Sequence, residues 1–492
     1  MSSATPTLRD FVGLLPEIIL AGAFVALMLL DLVVPAARRT WLAAFSVVAL
    51  LGTLGVNVWG WFNAGNGHTV YFGAFADDRL AVFANCIVLV TALLTVLISP
   101  GYLNKRGLHH GEYYALLMAA TVGMMLLDGA ASLMVIFLAV ELLSISLYIL
   151  SGFSRTEERS QEAAVKYLLL GSFASAFLLF GMALVYGETG HTQLQQIALA
   201  ISQSRAVDPL LIAGIILMFV GFAFKVSAAP FHSWTPDVYQ GAPTSVTTFM
   251  SVATKVAAFA VLIRVFDDTF RDYYSHWSAM VIAVAIISMV VGNLAALAQT
   301  SIKRMLAYSG IAQAGYILIG VAILTPQATQ GALYYMAAYA VTNLGAFAVV
   351  TVMSGRGEDL DRYDHLRGLW LRRPYVAVAM AFFLLSLAGF PLTAGFFGKF
   401  LVFAAAIQFH KIALALWGIA MSAVSIFYYL RVAILMFERP TSDQPAYDWP
   451  RTTVAGGIVL ALCAAGTLVL GVFVALLLNV VTMVQAGMLP RI

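Results

Sequence analysis

Four ionisable residues stand where a membrane makes them expensive. Lys225, Lys255 and Lys399 are three of only seven lysines in the chain, and each lies inside a long apolar run, as does Glu141. Ionisable side chains at membrane depth face a protein interior or a water-filled cavity, where they bind or move ions. The chemistry open to this set is proton transfer. A carboxylate and an ammonium buried together can both stay charged, or exchange a proton when their separation changes.

Glu141 is the eleventh of twenty residues in ASLMVIFLAVELLSISLYIL (131–150), near the bilayer midplane. Lys225 precedes Pro230, Pro236 and Pro243 in GFAFKVSAAPFHSWTPDVYQGAPT (221–244). Proline removes a backbone donor and interrupts a helix. The freed carbonyls are tolerated at that depth only where protein or water lines them. Lys255 is central in SVATKVAAFAVLIR (251–264), with no acid one turn away. Its partner comes from another helix, or it rests neutral. Lys399 sits among Gly389, Pro391, Gly395 and Gly398 in SLAGFPLTAGFFGKF (386–400), a second proline break. His232 and Asp237 follow the first break, suited to proton uptake or equally to capping a loop. The competing readings are a structural ion pair for Glu141 and Lys225 and a snorkelling lysine for Lys225.

Long helices must position these residues. Of 492 residues, 61% are hydrophobic and 10% charged, with a net charge of +3 and a mean hydropathy of +0.90. So little charge cannot cover a soluble surface or maintain disorder, and no basic patch suits nucleic acid. Fourteen apolar runs are long enough to span: 12–36, 41–62, 79–100, 112–129, 131–152, 163–187, 209–234, 243–266, 277–298, 303–324, 329–354, 374–405, 410–437 and 452–482. They are too long and too uniformly apolar for barrel strands. The first, holding Glu17 and Asp31, reads as a retained span rather than a cleavable signal.

The expected fold is an all-α polytopic membrane protein with about 14 transmembrane helices. The proline breaks fall in the seventh and twelfth runs, five apart. That spacing predicts two inverted five-helix repeats, runs 4–8 and 9–13, each with a broken helix and a site at midplane. The corresponding units are an N-terminal three-helix segment (1–111), a first repeat (112–266), a second repeat (277–437) and a C-terminal helix (452–492). Asn293, Tyr308, Ser309, Gln313, Tyr316, Asn343, Tyr428 and Tyr429 are candidates to extend a hydrated path, or are helix–helix hydrogen bonds. Counting Lys and Arg in alternate connections gives 16 against 7, which places both termini outside the cytoplasm. Arg431, near a span end, suits snorkelling. Two cysteines, Cys86 and Cys463, are too few for a disulfide framework, a thiolate metal site or an iron–sulfur cluster, and no nucleotide-binding glycine motif occurs.

PFHSWTPDVYQGAPT (230–244), SIKRMLAYSGIAQAGY (301–316) and SLAGFPLTAGFFGKF (386–400) resemble the antiporter-like membrane subunits of respiratory complex I, as do FLAVELLSISLYIL (137–150) and QEAAVKYLLLGSFASA (161–176). Nearly the whole chain shares the likeness, and WTPDVYQGAP narrows it to the subunit N family of bacterial NADH-quinone oxidoreductase, counterpart of mitochondrial subunit 2. The resemblance implies a proton-translocating subunit of the bacterial inner (plasma) membrane. Glu141 and Lys225 match the family's fifth-helix glutamate and its partner lysine, Lys255 the central eighth-helix lysine, and Lys399 the lysine at the exit. Lys166 matches a further family lysine. The resemblance implies no cofactor in this chain, with NADH, FMN, iron–sulfur clusters and quinone in partner subunits. It implies sister antiporter-like and small membrane subunits as partners. The family's larger members carry a long lateral helix after the fourteenth span; this chain ends at Ile492, which fits subunit N. The alternatives are a subunit of a multi-subunit Na+/H+ antiporter without a redox partner, and a structural spacer, against which the buried lysines count.

Overall fold

Backbone polar groups in a bilayer must be satisfied within their own segment, which for long apolar runs means helix. The computed structural model describes residues 7–35, 39–63, 67–203, 208–355, 359–439, 449 and 451–489. Helix occupies every one of the fourteen runs. Among the described residues, eleven helices are long and apolar enough to cross a membrane, accompanied by the shorter apolar helices Pro209–Lys225, Pro374–Ala388, Ala394–Gln408 and Val474–Ala486. The fold is an all-α polytopic bundle. Its one small addition among these residues is an antiparallel ribbon, His68–Val70 with Phe75–Asp77.

The bundle is layered by lipid access. The segments Thr244–Thr269, Ile302–Ile323 and Pro326–Met353 are almost wholly buried, whereas Leu15–Val33 and Val454–Val472 keep most of their residues on the outer surface. The central helices therefore carry polar side chains shielded from lipid by their neighbours. Close approach is set by small residues: a Cβ on Gly181 would stand 2.7 Å from the Gly214 carbonyl oxygen. That crossing seats Pro209–Lys225 against Glu158–Thr189.

Both expected breaks are present, with one displacement. The first half-helix stops at Lys225 itself, five residues before Pro230, and helix resumes at Trp234–Gly241. The exposed turn is covered by protein: the Ala229 N–H donates to Ser288 Oγ at 2.8 Å, and Trp234 Nε1 donates to the Phe224 carbonyl at 3.2 Å. The second break separates Pro374–Ala388 from Ala394–Gln408, opening on Gly389 at φ +90°, a conformation that costs glycine little.

A third interruption carries no proline. The run 243–266 is split into Thr244–Met250 and Ala253–Ile263, ending in a π-helical turn, Arg264–Thr269. Thr248, Ser251 and Thr254 hydroxyls donate back to the carbonyls of Thr244, Thr248 and Met250. Such back-bonding competes with the helix ladder and bends it. The last run is likewise divided, at Phe473.

Two cations that sequence position assigns to loops are enclosed instead. Arg264 is 1% exposed and forks onto Asp78 at 2.7 and 2.9 Å; Lys303 is fully buried, 2.5 Å from Asp359. Loops and the ribbon fold over these run ends, which no local pattern announces. Without the pair the connection bias stands at 15 to 6. Arg431 is exposed with its guanidinium 5.5 Å from the Tyr363 ring centre, as snorkelling requires.

Candidate functional site

Each of the three buried lysines lies beside an interruption in a helix. Lys225 ends its half-helix, at the negative end of the helix dipole. Its Nζ donates to Ser144 Oγ at 2.6 Å and stands 5.7, 5.9 and 5.8 Å from the ring centres of Tyr148, Tyr167 and Phe224. Trp234 closes this aromatic cage by stacking on Tyr167 at 4.4 Å.

Glu141 and Lys225 are not in direct contact. No ion pair within 4.0 Å joins them, and Lys225 bonds instead to Ser144, one turn beyond Glu141 on the same helix. They still interact electrostatically. Glu141 Oε1 is enclosed without a hydrogen-bond partner. The lysine stem reaches a hydroxyl on the Glu141 helix rather than the carboxylate itself.

Lys255 Nζ donates to the Gly310 carbonyl at 2.7 Å and lies 5.7 Å from the Tyr339 ring centre. No acid pairs with it, as its helix neighbours suggest. At the neighbouring Ser309 a hydrogen-bonded chain begins that crosses to the second break. Ser309 shares a hydrogen bond with Tyr429; Gln313 Nε2 donates to Tyr429 and to the Leu387 carbonyl, each at 3.2 Å; Tyr335 donates to Gln313 Oε1. The carbonyl after Leu387 belongs to Ala388, the last residue of its half-helix, and it accepts from Lys399 Nζ at 3.0 Å. Lys399 also donates to Ser422 Oγ at 2.9 Å and sits 5.0 Å from the Tyr316 ring centre. Tyr316, Asn293 and Tyr428 form a side branch at 3.1 and 3.0 Å.

Asn343 Nδ2 donates to Ser251 Oγ at 3.0 Å, and neither Asn343 nor Tyr308 joins this network. Tyr308 faces His232 instead, ring centres 6.4 Å apart, and His232 Nδ1 is enclosed without a partner. Sequence reasoning missed Tyr335 and Tyr339. The signal was present: Tyr335, Tyr339 and Asn343 repeat every four residues along one face of an otherwise apolar helix. The serine acceptors, Ser144 and Ser422, left no such mark.

Lys166 lies apart from these lysines. It is partly exposed, 2.6 Å from Glu162 and 2.7 Å from Asp237, and Asp237 is also paired with Arg304 at 2.6 Å. Asp237 therefore ties the second half of the broken helix to two neighbours rather than standing open. In the adjoining loop, burial pushes the Asp359 carboxyl up, but the charges of Lys303 and Arg106 outweigh it and hold the group below the usual carboxylate range.

Gly310 gives a direct test of the Lys255 position. A Cβ there would stand 2.8 Å from Nζ, and that ammonium is the movable partner. Gly310→Ala should leave the thermal midpoint within a few degrees of wild type, because a flexible side-chain end can yield. It should still cut coupled turnover several-fold by displacing Nζ from the Gly310 carbonyl. Unchanged turnover would mean the contact is incidental.

An all-helical bundle with paired broken helices and a buried lysine beside each break defines the class of antiporter-like membrane subunits. The family model described as "NADH:quinone oxidoreductase/Mrp antiporter, TM" matches residues 130–425, a stretch containing Glu141 and all three buried lysines. NADH-quinone oxidoreductase subunit N of Trichlorobacter lovleyi is 44% identical over 471 residues, covering 95% of each chain. A chain of respiratory complex I from Thermus thermophilus, solved with bound aureothin, superposes with a TM-score of 0.80 at 35% identity, over 94% of this chain and 98% of that one. A chain of the Mrp complex from Dietzia sp. DQ12-45-1b gives a TM-score of 0.85 at 22% identity, over 98% of both chains, a likeness of fold alone. The chain belongs to the NADH-quinone oxidoreductase subunit N family.

Proposed function

We propose that this chain conducts protons through the membrane as a subunit of a proton-translocating NADH-quinone oxidoreductase. The observation that carries this reading is the chain of buried hydroxyl, amide and carbonyl groups linking the Lys255 region to Lys399. Lys255 is the central proton carrier, Lys399 the next, and Lys225, caged by aromatic rings and near Glu141, is the gate. His232, between the first break and Tyr308, supplies a point of proton uptake, while Lys166 stabilises the broken helix through Asp237. The two broken helices mark inverted repeats over 112–266 and 277–437, flanked by 1–111 and 452–492. Redox chemistry, with NADH, FMN, iron–sulfur clusters and quinone, belongs to partner subunits. Sister antiporter-like and small membrane subunits of a bacterial inner membrane are the neighbours. Moving one charge against 100 mV costs about 2.3 kcal/mol, a size that displacing a buried ion pair can supply.

Gln313→Leu tests the chain at its centre. Leucine fills similar space but removes the link between Tyr429 and the Leu387 carbonyl. The complex should assemble, and protons moved per electron should fall about tenfold, a barrier change of about 1.4 kcal/mol. Normal pumping would exclude this route. The orientation has its own check: reporter fusions at Arg362 and after Ile492 should report opposite faces, with Ile492 non-cytoplasmic. A shared face would overturn the topology.

A further inference from the structure

The helices Pro374–Ala388 and Val454–Val472 lie side by side without closing on each other, and a surface groove of about 780 Å³ opens between them. Its walls are apolar and follow helical spacing: Val378, Ala379 and Phe382 on one side, Gly457, Ala461 and Ala464 on the other. Ala464 lies eleven residues past Thr453, about 16 Å along the helix at 1.5 Å per residue. That is close to half of a hydrocarbon core of about 30 Å, so the groove has the depth of one membrane leaflet.

The mouth of the groove has the opposite character. Arg372, Arg373 and Arg451 stand there with Thr452 and Thr453, and no carboxylate lines the groove among the described residues. Trp449 sets two of the arginines: its carbonyl accepts from Arg373 Nη2 at 2.9 Å, and its ring centre is 5.8 Å from the Arg372 guanidinium. Arg451 is exposed. Lys105, at the end of the adjoining helix Arg79–Arg106, is within electrostatic reach of Arg373. Both walls begin at the mouth, so the positive ends of their dipoles add to this charge. The groove along Ile412–Phe437 lacks the imbalance: its arginines share it with Asp364 and Glu438, and Arg367 is 3.3 Å from Glu438.

Cations above a leaflet-deep apolar slot fit a molecule with a negative head and a hydrocarbon tail. A free anion leaves the slot empty, and a purely apolar occupant leaves the arginines without a counter-charge. Basic pockets between transmembrane helices on the cytoplasmic side take anionic lipid headgroups, and in the orientation proposed above this mouth is cytoplasmic.

We infer that this groove binds an anionic phospholipid. Arg373 and Arg451 hold its phosphate with the Thr452 hydroxyl, and one acyl chain lies along Ala379, Phe382, Gly457 and Ala461. The lipid rests against the half-helix whose last carbonyl holds Lys399, but its binding does not depend on the proton path.

The test uses the assembled complex in phosphatidylcholine nanodiscs doped with a phosphatidylglycerol that carries a photoreactive acyl chain. Photoreactive phosphatidylcholine of the same chain length is the control, and cross-linked peptides are mapped. Phosphatidylglycerol should label 375–382 and 457–464 about fivefold more than phosphatidylcholine, the factor that one arginine near an anionic group supplies. Both lipids should label the exposed helix Thr40–Asn63 equally. Arg373→Gln combined with Arg451→Gln should abolish the excess in the groove and leave Thr40–Asn63 unchanged. Gly457→Leu keeps the arginines and blocks the slot. A Cβ at 457 meets no atom within 4 Å, and leucine favours helix over glycine, so this variant should assemble. It should remove the groove labelling by phosphatidylglycerol and decides the matter alone if the arginine variant does not assemble. Equal labelling by both lipids means an ordinary lipid boundary and overturns the inference. No labelling by either means a protein neighbour fills the groove and overturns it too, as does an excess that survives Gly457→Leu.

Discussion

Lys255→Met should reduce protons pumped per electron at least tenfold while the complex assembles at normal abundance. Lys255 has one polar contact, to the Gly310 carbonyl at 2.7 Å, and no acid to balance it. A buried ammonium with so little compensation pays a desolvation cost of several kcal/mol. Methionine fills comparable space without that cost, so stability should hold or rise. Tenfold corresponds to about 1.4 kcal/mol of barrier, a small fraction of what removing an obligatory carrier can cost. Lys255→Arg sharpens the test. Arginine retains the positive charge but does not release its proton in proteins. If the residue works by proton exchange, arginine should fail as completely as methionine. Pumping restored by arginine would mean that position 255 supplies only a fixed charge. Wild-type pumping by Lys255→Met would return the lysine to a packing role.

Glu141→Gln and Lys225→Met should each impair coupled pumping, and the double mutant should cost much less than the two combined. The geometry moderates the size of this coupling. The carboxyl is not in contact with the ammonium; it stands one helical turn from Ser144, which holds Nζ at 2.6 Å. Residues in one polar network couple by roughly 0.5–3 kcal/mol, and the lack of a direct ion pair favours the lower half of that range. Ser144→Ala should weaken the coupling further, since Lys225 then loses its hydroxyl acceptor. A cycle of the four proteins, read as protons pumped per electron, decides the matter. Strictly additive losses would show two independent residues, and the gating role would go.

The sequence by itself determined the class of molecule and which charged residues lie inside its apolar helices. Bilayer physics makes this possible, because hydrocarbon enforces helix and makes every intramembrane charge conspicuous. Glu141, Lys225, Lys255 and Lys399 were legible for that reason, and Pro230 and Pro391 announced two breaks. The third break was not legible, because hydroxyls bonding back to their own carbonyls look like ordinary threonines and serines in a run. Partnership was not legible either. Which acceptor a lysine reaches depends on helix rotation and crossing, which hydropathy does not encode. Thus Lys225 meets Ser144 rather than Glu141, and Lys255 meets a backbone carbonyl at Gly310. Only the tertiary structure joins Ser309, Tyr429, Gln313 and Leu387 from separate helices into one chain. It also closes loops and ribbon over Lys303 and Arg264, whose positions at run ends read as solvent. Composition sets what may be buried; the packing of helices against one another sets what each buried group touches.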